Sequence, residues 1–555
     1  MHLARIEAEG NTQSRPHRRA VRTVAQALRS PLRFALASAA LASAIGCGNT
    51  YRPVVSAINP VGPAAQPQKF AVAISTTSTA TANTTATFSS GASSITVASA
   101  TSIMSGQLVV GAGIAPGTTV SGPPSGTTVN LSFPTTAAES STPVVFDNPT
   151  PGLVTFVDAF GDSVLITDPI GVNPYYLILN SGGTTGFTLN SDHTLTSFGV
   201  STTLLPSQIL QTTLLPGANP ASIFPDGTNT YVSDPTENIA QGVISQFTGQ
   251  PPTLQQQLAI PAPFTPLYVV GISGAPRVYA ITPSSTGGGP GQVSTIETTS
   301  NTIDPTPIPV GHGPVYGVMT ADARRAFIMN QTDGTVSVIN AQTNQLDIVP
   351  TGATNPISVG TSPLWADFAP ALNEMVVANA GDGVHQGSVS IISIPLCSAN
   401  ALPSNPNCDL NNPVDAAGFG TVLATVPVGI NPRMIAVLQD TTNSRAYVVN
   451  GGDPNLPCAA PTTAQPLGNC TVSVINLASN TVTATIPIPL SVLPISPILN
   501  GHPNYIAVTN GTPTGKVYVT SPESNFMTVI RTDIDALDLT IPLQGNGVSV
   551  RVTLP

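Results

Sequence analysis

Four short runs after Pro432 decide how this chain folds: Arg433-Met434-Ile435-Ala436-Val437-Leu438, Arg445-Ala446-Tyr447-Val448-Val449-Asn450, Thr471-Val472-Ser473-Val474-Ile475-Asn476 and Thr481-Val482-Thr483-Ala484-Thr485-Ile486-Pro487. Each is rich in β-branched and aromatic residues and is bounded by Asn, Gly, Ser or Pro, the pattern of strands joined by tight turns. Tyr447-Val448-Val449 is continuously apolar, as expected of a strand covered on both faces. The same four runs recur as Val315 to Thr320, Arg325 to Asn330, Thr335 to Asn340 and Gln345 to Val349. They recur again as Tyr505 to Thr509, Lys516 to Thr520, Phe526 to Thr532 and Leu537 to Ile541.

A Pro opens each unit, at 174, 220, 266, 314, 363, 432 and 503. The first four intervals are 46 to 49 residues and the last two are 69 and 71. Each long interval holds a local cysteine pair, Cys397 with Cys408 or Cys458 with Cys470, so these segments are insertions into a regular unit. A four-stranded unit of this size cannot bury both faces alone, but units stacked around an axis can. Val548 to Val552 is a lone strand at the C-terminus, while Phe70 to Ser75, Leu153 to Asp158 and Ser163 to Thr167 supply three near the N-terminus. Joined, they complete one more unit and close a ring. The expected fold is all-β: a β-propeller of four-stranded antiparallel blades over 70–555, eight by count with seven as the alternative. An open solenoid, which would need polar caps at both ends, is the competing architecture.

The run AYVVN, a variable loop, TVSVIN, a turn and TVTATIPI resemble the YVTN-type β-propeller repeat of bacterial and archaeal surface proteins. The resemblance is strongest over 312–547 and fades toward 173. It implies an extracytoplasmic propeller and, as commonly in that family, seven blades. Between Ser75 and Leu153 the chain departs from the repeat. A Ser/Thr/Ala tract leads into the short runs Ser94 to Val97, Gln107 to Val110, Thr127 to Leu131 and Val144 to Phe146, read as a small β-module inserted at 76–152, with an irregular loop as the alternative.

Composition supports the same picture. The 555 residues include 55 Pro and 48 Gly, which excludes long helices, and only 8% are charged. Residues 1 to 33 carry seven Arg and no Lys, followed by the apolar run Phe34 to Ile45, which is too short to span a bilayer but has the length of a signal-peptide core. Ala44-Ile45-Gly46-Cys47 resembles a bacterial lipobox, which implies a signal peptide over 1–46, acylation of Cys47 and a linker over 47–69. An ordinary secretory signal is the alternative. Beyond residue 46 there are 10 Lys and Arg against 25 Asp and Glu, so phosphate backbones would be repelled and membrane attachment would come only through the lipid. The local cysteine pairs fit disulfides in an oxidising compartment, against a zinc site for which no Cys-x-x-Cys or His pair is present.

Four histidines follow residue 46: His193, His312, His385 and His502. His312 and His502 each directly precede the first strand of a blade, which makes them candidate channel-mouth residues, although neither has an acidic neighbour at fixed spacing. Asp382 with His385 lacks the oxygen ligands of a calcium loop, so no metal site and no cofactor is expected. Walker, His-Glu-x-x-His and Gly-x-Ser-x-Gly motifs are missing. Trp365, the single Trp, reads as core, and Arg324-Arg325 reads as a solvated turn. The long connections between second and third strands share one face of the ring with the connections between blades, and binding is expected there. The leading expectation is a monomeric, non-catalytic binding or scaffold protein, lipid-tethered outside the cytoplasm, that presents loops to a protein or glycan partner. The alternative is a propeller-class enzyme, a lactonase, lyase or quinoprotein-like oxidoreductase, with its site at the channel mouth.

Overall fold

A computed structural model describes residues 69–553, except 78, 116, 216–217, 239–240, 285–288, 348–353, 396–417, 440–443, 457, 459–468, 489–501 and 510–514. The expected lipidation site Cys47, and the pair Cys397 and Cys408, lie outside the described residues. The described chain forms eight blades, each built on a four-stranded antiparallel meander. Blade 1 is shared: Asn546–Val552 forms its innermost strand, followed outward by Phe70–Thr76, Pro151–Asp158 and Ser163–Val172. The pairing Ala71 with Val552 and Val72 with Arg551 joins the two ends of the ring.

The innermost strands of blades 2 to 8 are Pro174–Leu179, Ser222–Asp226, Tyr268–Val270, Pro314–Met319, Pro363–Ala369, Pro432–Leu438 and Tyr505–Thr509. Each packs beside its neighbours, and the last returns through Asn546–Val552 to Pro174–Leu179, so the circle is closed. The core is correspondingly divided into eight apolar clusters, one between each pair of adjacent blades. Met434, Tyr447 and Val449 of blade 7 meet Ile506 and Val517 of blade 8. Ala71 and Val157 of blade 1 meet Tyr518 and Val529 of blade 8. Blades 4 and 5 each add a short fifth strand, Ile308–His312 and Ile357–Ser358, to the third strand.

Two joints repeated around the ring fix how one blade meets the next. The second strands of blades 2, 5, 6 and 7 end in buried Asn190, Asn330, Asn379 and Asn450. Each side-chain amide donates to two hydroxyls of its own third strand; for Asn450 these are Thr471 at 3.0 Å and Ser473 at 2.9 Å. Over that amide lies a glycine of the chain arriving from the preceding blade, Gly171, Gly311, Gly360 or Gly429, where a Cβ would stand only 2.4 to 2.7 Å from the Asn. The second joint sets the leading Pro of one blade on a glycine that begins the third strand of the blade before. At Gly152, Gly242, Gly291 and Gly387 a Cβ would fall 2.3 to 2.4 Å from the ring of Pro174, Pro266, Pro314 or Pro432.

The 76–152 segment is a five-stranded sheet in the order Leu108–Gly111, Glu139–Asn148, Thr79–Phe88, Ser94–Val97, Thr128–Asn130. Its own core gathers Phe88, Ile95, Val109, Val129 and Phe146. The Ser/Thr/Ala tract at its start, read from sequence only as a lead-in, forms its long central strand; small side chains there hide the alternation that normally marks a strand.

Replacing Asn450 by Ala removes both hydroxyl contacts and leaves a void under Gly429. This variant is expected to lose about 2 kcal/mol of stability, read as a lower midpoint in urea or heat, with the β-sheet circular dichroism unchanged.

Candidate functional site

The face that carries the connections between blades and the second-to-third loops is braced by local acid contacts. The acid of a second-to-third loop takes up a backbone N–H of the chain entering that blade: Asp192 from Val172 at 2.8 Å, Asp234 from Asn219 at 2.9 Å, and Asp333 from His312 at 2.6 Å. His312 also sets its Nδ1 2.9 Å from the Asp333 carboxylate. Burial pushes Asp333 up, but these contacts from His312 outweigh it and hold the carboxyl below its usual range. His502 stands in the same place before blade 8, with Nδ1 3.4 Å from Glu523 and Nε2 near the carbonyl oxygens of Asp453 and Leu456. His385 pairs with Asp382 at 2.5 Å inside one exposed loop, which lowers the Asp to about 2 and raises the His. Both channel-mouth candidates are thus tied to acids 21 residues further along, a spacing that sequence reading did not register.

His193 is buried, and the inserted module lies against it. The Phe133 ring is 5.6 Å from the imidazole, and the Gly117 N–H donates to the Ser191 carbonyl. Asn173 donates to Asp147 of the module at 3.0 Å. The module is therefore seated on the loop-bearing face over blades 1 and 2.

Cys458 and Cys470 are joined by a disulfide across the second-to-third loop of blade 7. Among the described residues, the one group of three metal-ligating side chains within reach of one another is this pair with His502. The two sulfurs are bonded to each other, so the cluster offers the imidazole alone. His502 is brought there by the stacking of blade 8 on blade 7, which no local spacing could reveal.

The axial channel carries a belt of aromatic rings, a feature missed from sequence. Two positions after the leading Pro stand Tyr176, Tyr268, Tyr316, Trp365 and Tyr505, with Met434 in blade 7 and Ser222 in blade 3. Tyr316 stacks on Trp365 with centroids 4.0 Å apart, and Tyr268 lies 4.9 Å from Tyr316. The hydroxyls of Tyr176, Tyr268 and Tyr316 are hydrogen-bonded in series. Trp365, read as core, is only partly buried and touches the clusters on both sides of blade 7. The signal available in sequence was the aromatic residue at the third position of five of the seven Pro-led units.

Two charges enter this belt. The Arg551 guanidinium lies over the Tyr505 ring, 5.2 Å from its centroid. Its positive charge eases the ionisation of Tyr176, Tyr268 and Tyr316, all of which burial pushes well above the ordinary range. Asp367 accepts the N–H of Val437 from the neighbouring inner strand at 2.8 Å and that of Phe368 at 2.8 Å. Burial nevertheless raises its carboxyl to about 6. Arg325, expected in a solvated turn, is instead fully buried and paired with Asp347, because the second strand of blade 5 begins at that residue and carries it inward.

No protein-family model matches the chain, and no curated relative does. Solved structures resemble it at the level of fold. Apo AztD from Citrobacter koseri is 13% identical over 73% of this chain and 95% of its own, with a TM-score of 0.45. Dihydro-heme d1 dehydrogenase NirN, solved in complex with DHE, is 11% identical over 71% of this chain and 72% of its own, at 0.44. A structure titled as a putative 6-phosphogluconolactonase from Bacteroides fragilis is 14% identical over 73% and 94%, at 0.40.

Between the ordinary carboxyl pKa and about 6, folded protein holds a proton on Asp367 that the unfolded chain has lost. Stability from this group therefore falls as pH rises through that window. Asp367→Asn should remove this slope, so the wild type loses up to about 2–3 kcal/mol relative to the variant between pH 4 and 7. Paired thermal melts across that range measure it. Trp365 fluorescence should titrate near pH 6 in the wild type only, and identical pH profiles for the two proteins would refute the assignment.

Proposed function

We propose that this protein is an extracytoplasmic, lipid-tethered β-propeller of the YVTN-repeat type that works by binding, presenting one face of the ring and its inserted module to a protein or glycan of the cell envelope. The observation that carries the reading is the use of the loop-bearing face. An ordered module with its own core is seated there, and the ionisable side chains around it are spent on holding backbone and loops in place. Such a surface is rigid and shaped, which favours recognition by contact. The disulfide between Cys458 and Cys470 supports placement in an oxidising compartment.

The enzyme alternative calls for carboxylates or histidines converging at the channel mouth. His312, His385 and His502 instead belong to different blades, each with its own acidic partner. Propeller scaffolds host many activities, so the argument rests on these residues and not on the fold.

Module excision tests the reading. The hydroxyls of Thr77 and Thr150 are 2.8 Å apart, so 79–149 can be replaced by one or two glycines without straining blade 1. The shortened protein is expected to keep its β-sheet spectrum and melting point within a few degrees, while binding to isolated cell envelopes falls by about tenfold. Envelope binding that survives excision would reject the module as the contact surface. Cys47→Ser in the full chain should move the protein from the membrane to the soluble fraction.

A further inference from the structure

Among the described residues, six of the basic side chains stand in ion pairs. Arg277 meets Glu297 at 2.6 Å, Arg445 meets Asp535 at 2.8 Å and Lys516 meets Asp162 at 2.6 Å. Arg324, Arg325 and Arg531 likewise stand beside Asp322, Asp347 and Asp533. Arg433 and Arg551 depart from this rule. Among the described residues no carboxylate lies within ion-pair reach of either, and both belong to innermost strands.

Arg551 is half-buried in the channel. Its one hydrogen bond is a long one, 3.3 Å, to the Val550 carbonyl, and its flat face rests on Tyr505. A guanidinium has five N–H donors in a fixed fork, and most of those of Arg551 have no acceptor. The hydroxyls of Tyr176, Tyr268 and Tyr316 are hydrogen-bonded to one another, and that of Tyr176 also donates to the Ile223 carbonyl, so Arg551 is the group with donors to spare. Arg433 follows the leading Pro of blade 7 at the loop-bearing end of its strand and is exposed, with its stem against Gly451. Taking a cation partly out of water without a partner is costly, and the six pairs above avoid that cost.

We propose that the channel is an oxyanion-binding site, in which the unused donors of Arg551 hold a carboxylate, phosphate or sulfate group of a ligand that enters from the loop-bearing face past Arg433. Arg551 supplies the planar fork and the aromatic belt supplies a low-dielectric wall that strengthens it. Arg433 supplies attraction at the entrance in a chain otherwise strongly acidic. The site is separate from the module surface and stands or falls independently of it.

Trp365 is the only Trp, so its emission reports on the belt without interference. Full-length protein carrying Cys47→Ser would be titrated at constant ionic strength, chloride as the reference, with inorganic phosphate, sulfate, acetate and citrate. Calorimetry would follow the same titrations as a second readout. Saturable binding by at least one oxyanion is expected. Saturation by phosphate or sulfate alone would identify a tetrahedral group as the ligand, and saturation by acetate or citrate alone a carboxylate. Arg551→Gln should weaken binding by about tenfold or more, Arg551→Lys less, and Arg433→Gln by a few-fold that shrinks as salt is raised. Arg531→Gln, a surface change, should leave it unaltered. If Arg551→Gln fails to fold, Arg551→Lys and Arg433→Gln decide the matter. No saturation with any oxyanion up to about 100 mM in either readout, or folded Arg433 and Arg551 variants that all bind like the wild type, would overturn the proposal.

Discussion

The whole ring depends on the joint at which one blade hands the chain to the next. A propeller gains almost nothing from a blade in isolation, since each sheet needs a neighbour on both faces. Here the relative position of neighbours is set by polar and steric locks at the edge of each apolar cluster. The NH2 of the Asn that ends a second strand donates twice within its own blade, although the amide oxygens of Asn330, Asn379 and Asn450 are buried without a partner, and the space above the amide admits only a glycine from the blade before. The leading Pro then turns the chain down onto the next inner strand, against a second glycine. Using both donors offsets part of the cost of burying the amide, and the unpartnered oxygen is the part that packing has to outweigh. The same contacts forbid any shift of register, because moving by one residue would put a side chain where the glycine must be.

With so few charges, each one is placed to local effect. Acids on the loop-bearing face hold the incoming chain, which keeps that face stiff without a large electrostatic field. In the channel the balance differs. Inner strands present aromatic rings to one another there, and the Asp367 carboxylate and the Arg551 guanidinium lie among those rings. The surface is where charges brace, and the axis is where their energies are most sensitive to what surrounds them.

The architecture was readable in the residues because it is repeated. Leading Pro, Ala-Tyr-Val-Val-Asn and Thr-Val-Ser-Val-Ile-Asn recur with variations, and the split unit at the two ends of the chain announced closure. What escaped reading lies between units. The aromatic belt is built from residues 48 to 140 positions apart that meet only because the inner strands converge on an axis. His502 reaches the Cys458–Cys470 disulfide through the stacking of two blades. Arg325 looks like part of a basic turn until the strand it begins carries it into the protein. The strand Thr79–Phe88 was obscured by its own composition, since Thr, Ala and Asn alternate without contrast in hydropathy.

The shared blade also sets an order of events for the living chain. Phe70–Thr76 is synthesised long before Asn546–Val552, the strand that covers its inner edge. Until residue 552 has emerged, that edge is an unpaired β-ribbon with apolar neighbours, open to any other extended chain. The circle therefore cannot seal until both strands are present, and a stalled or clipped product would keep that edge sticky. Folding of such a molecule places a premium on holding chaperones that guard the early strand while it waits for its late partner.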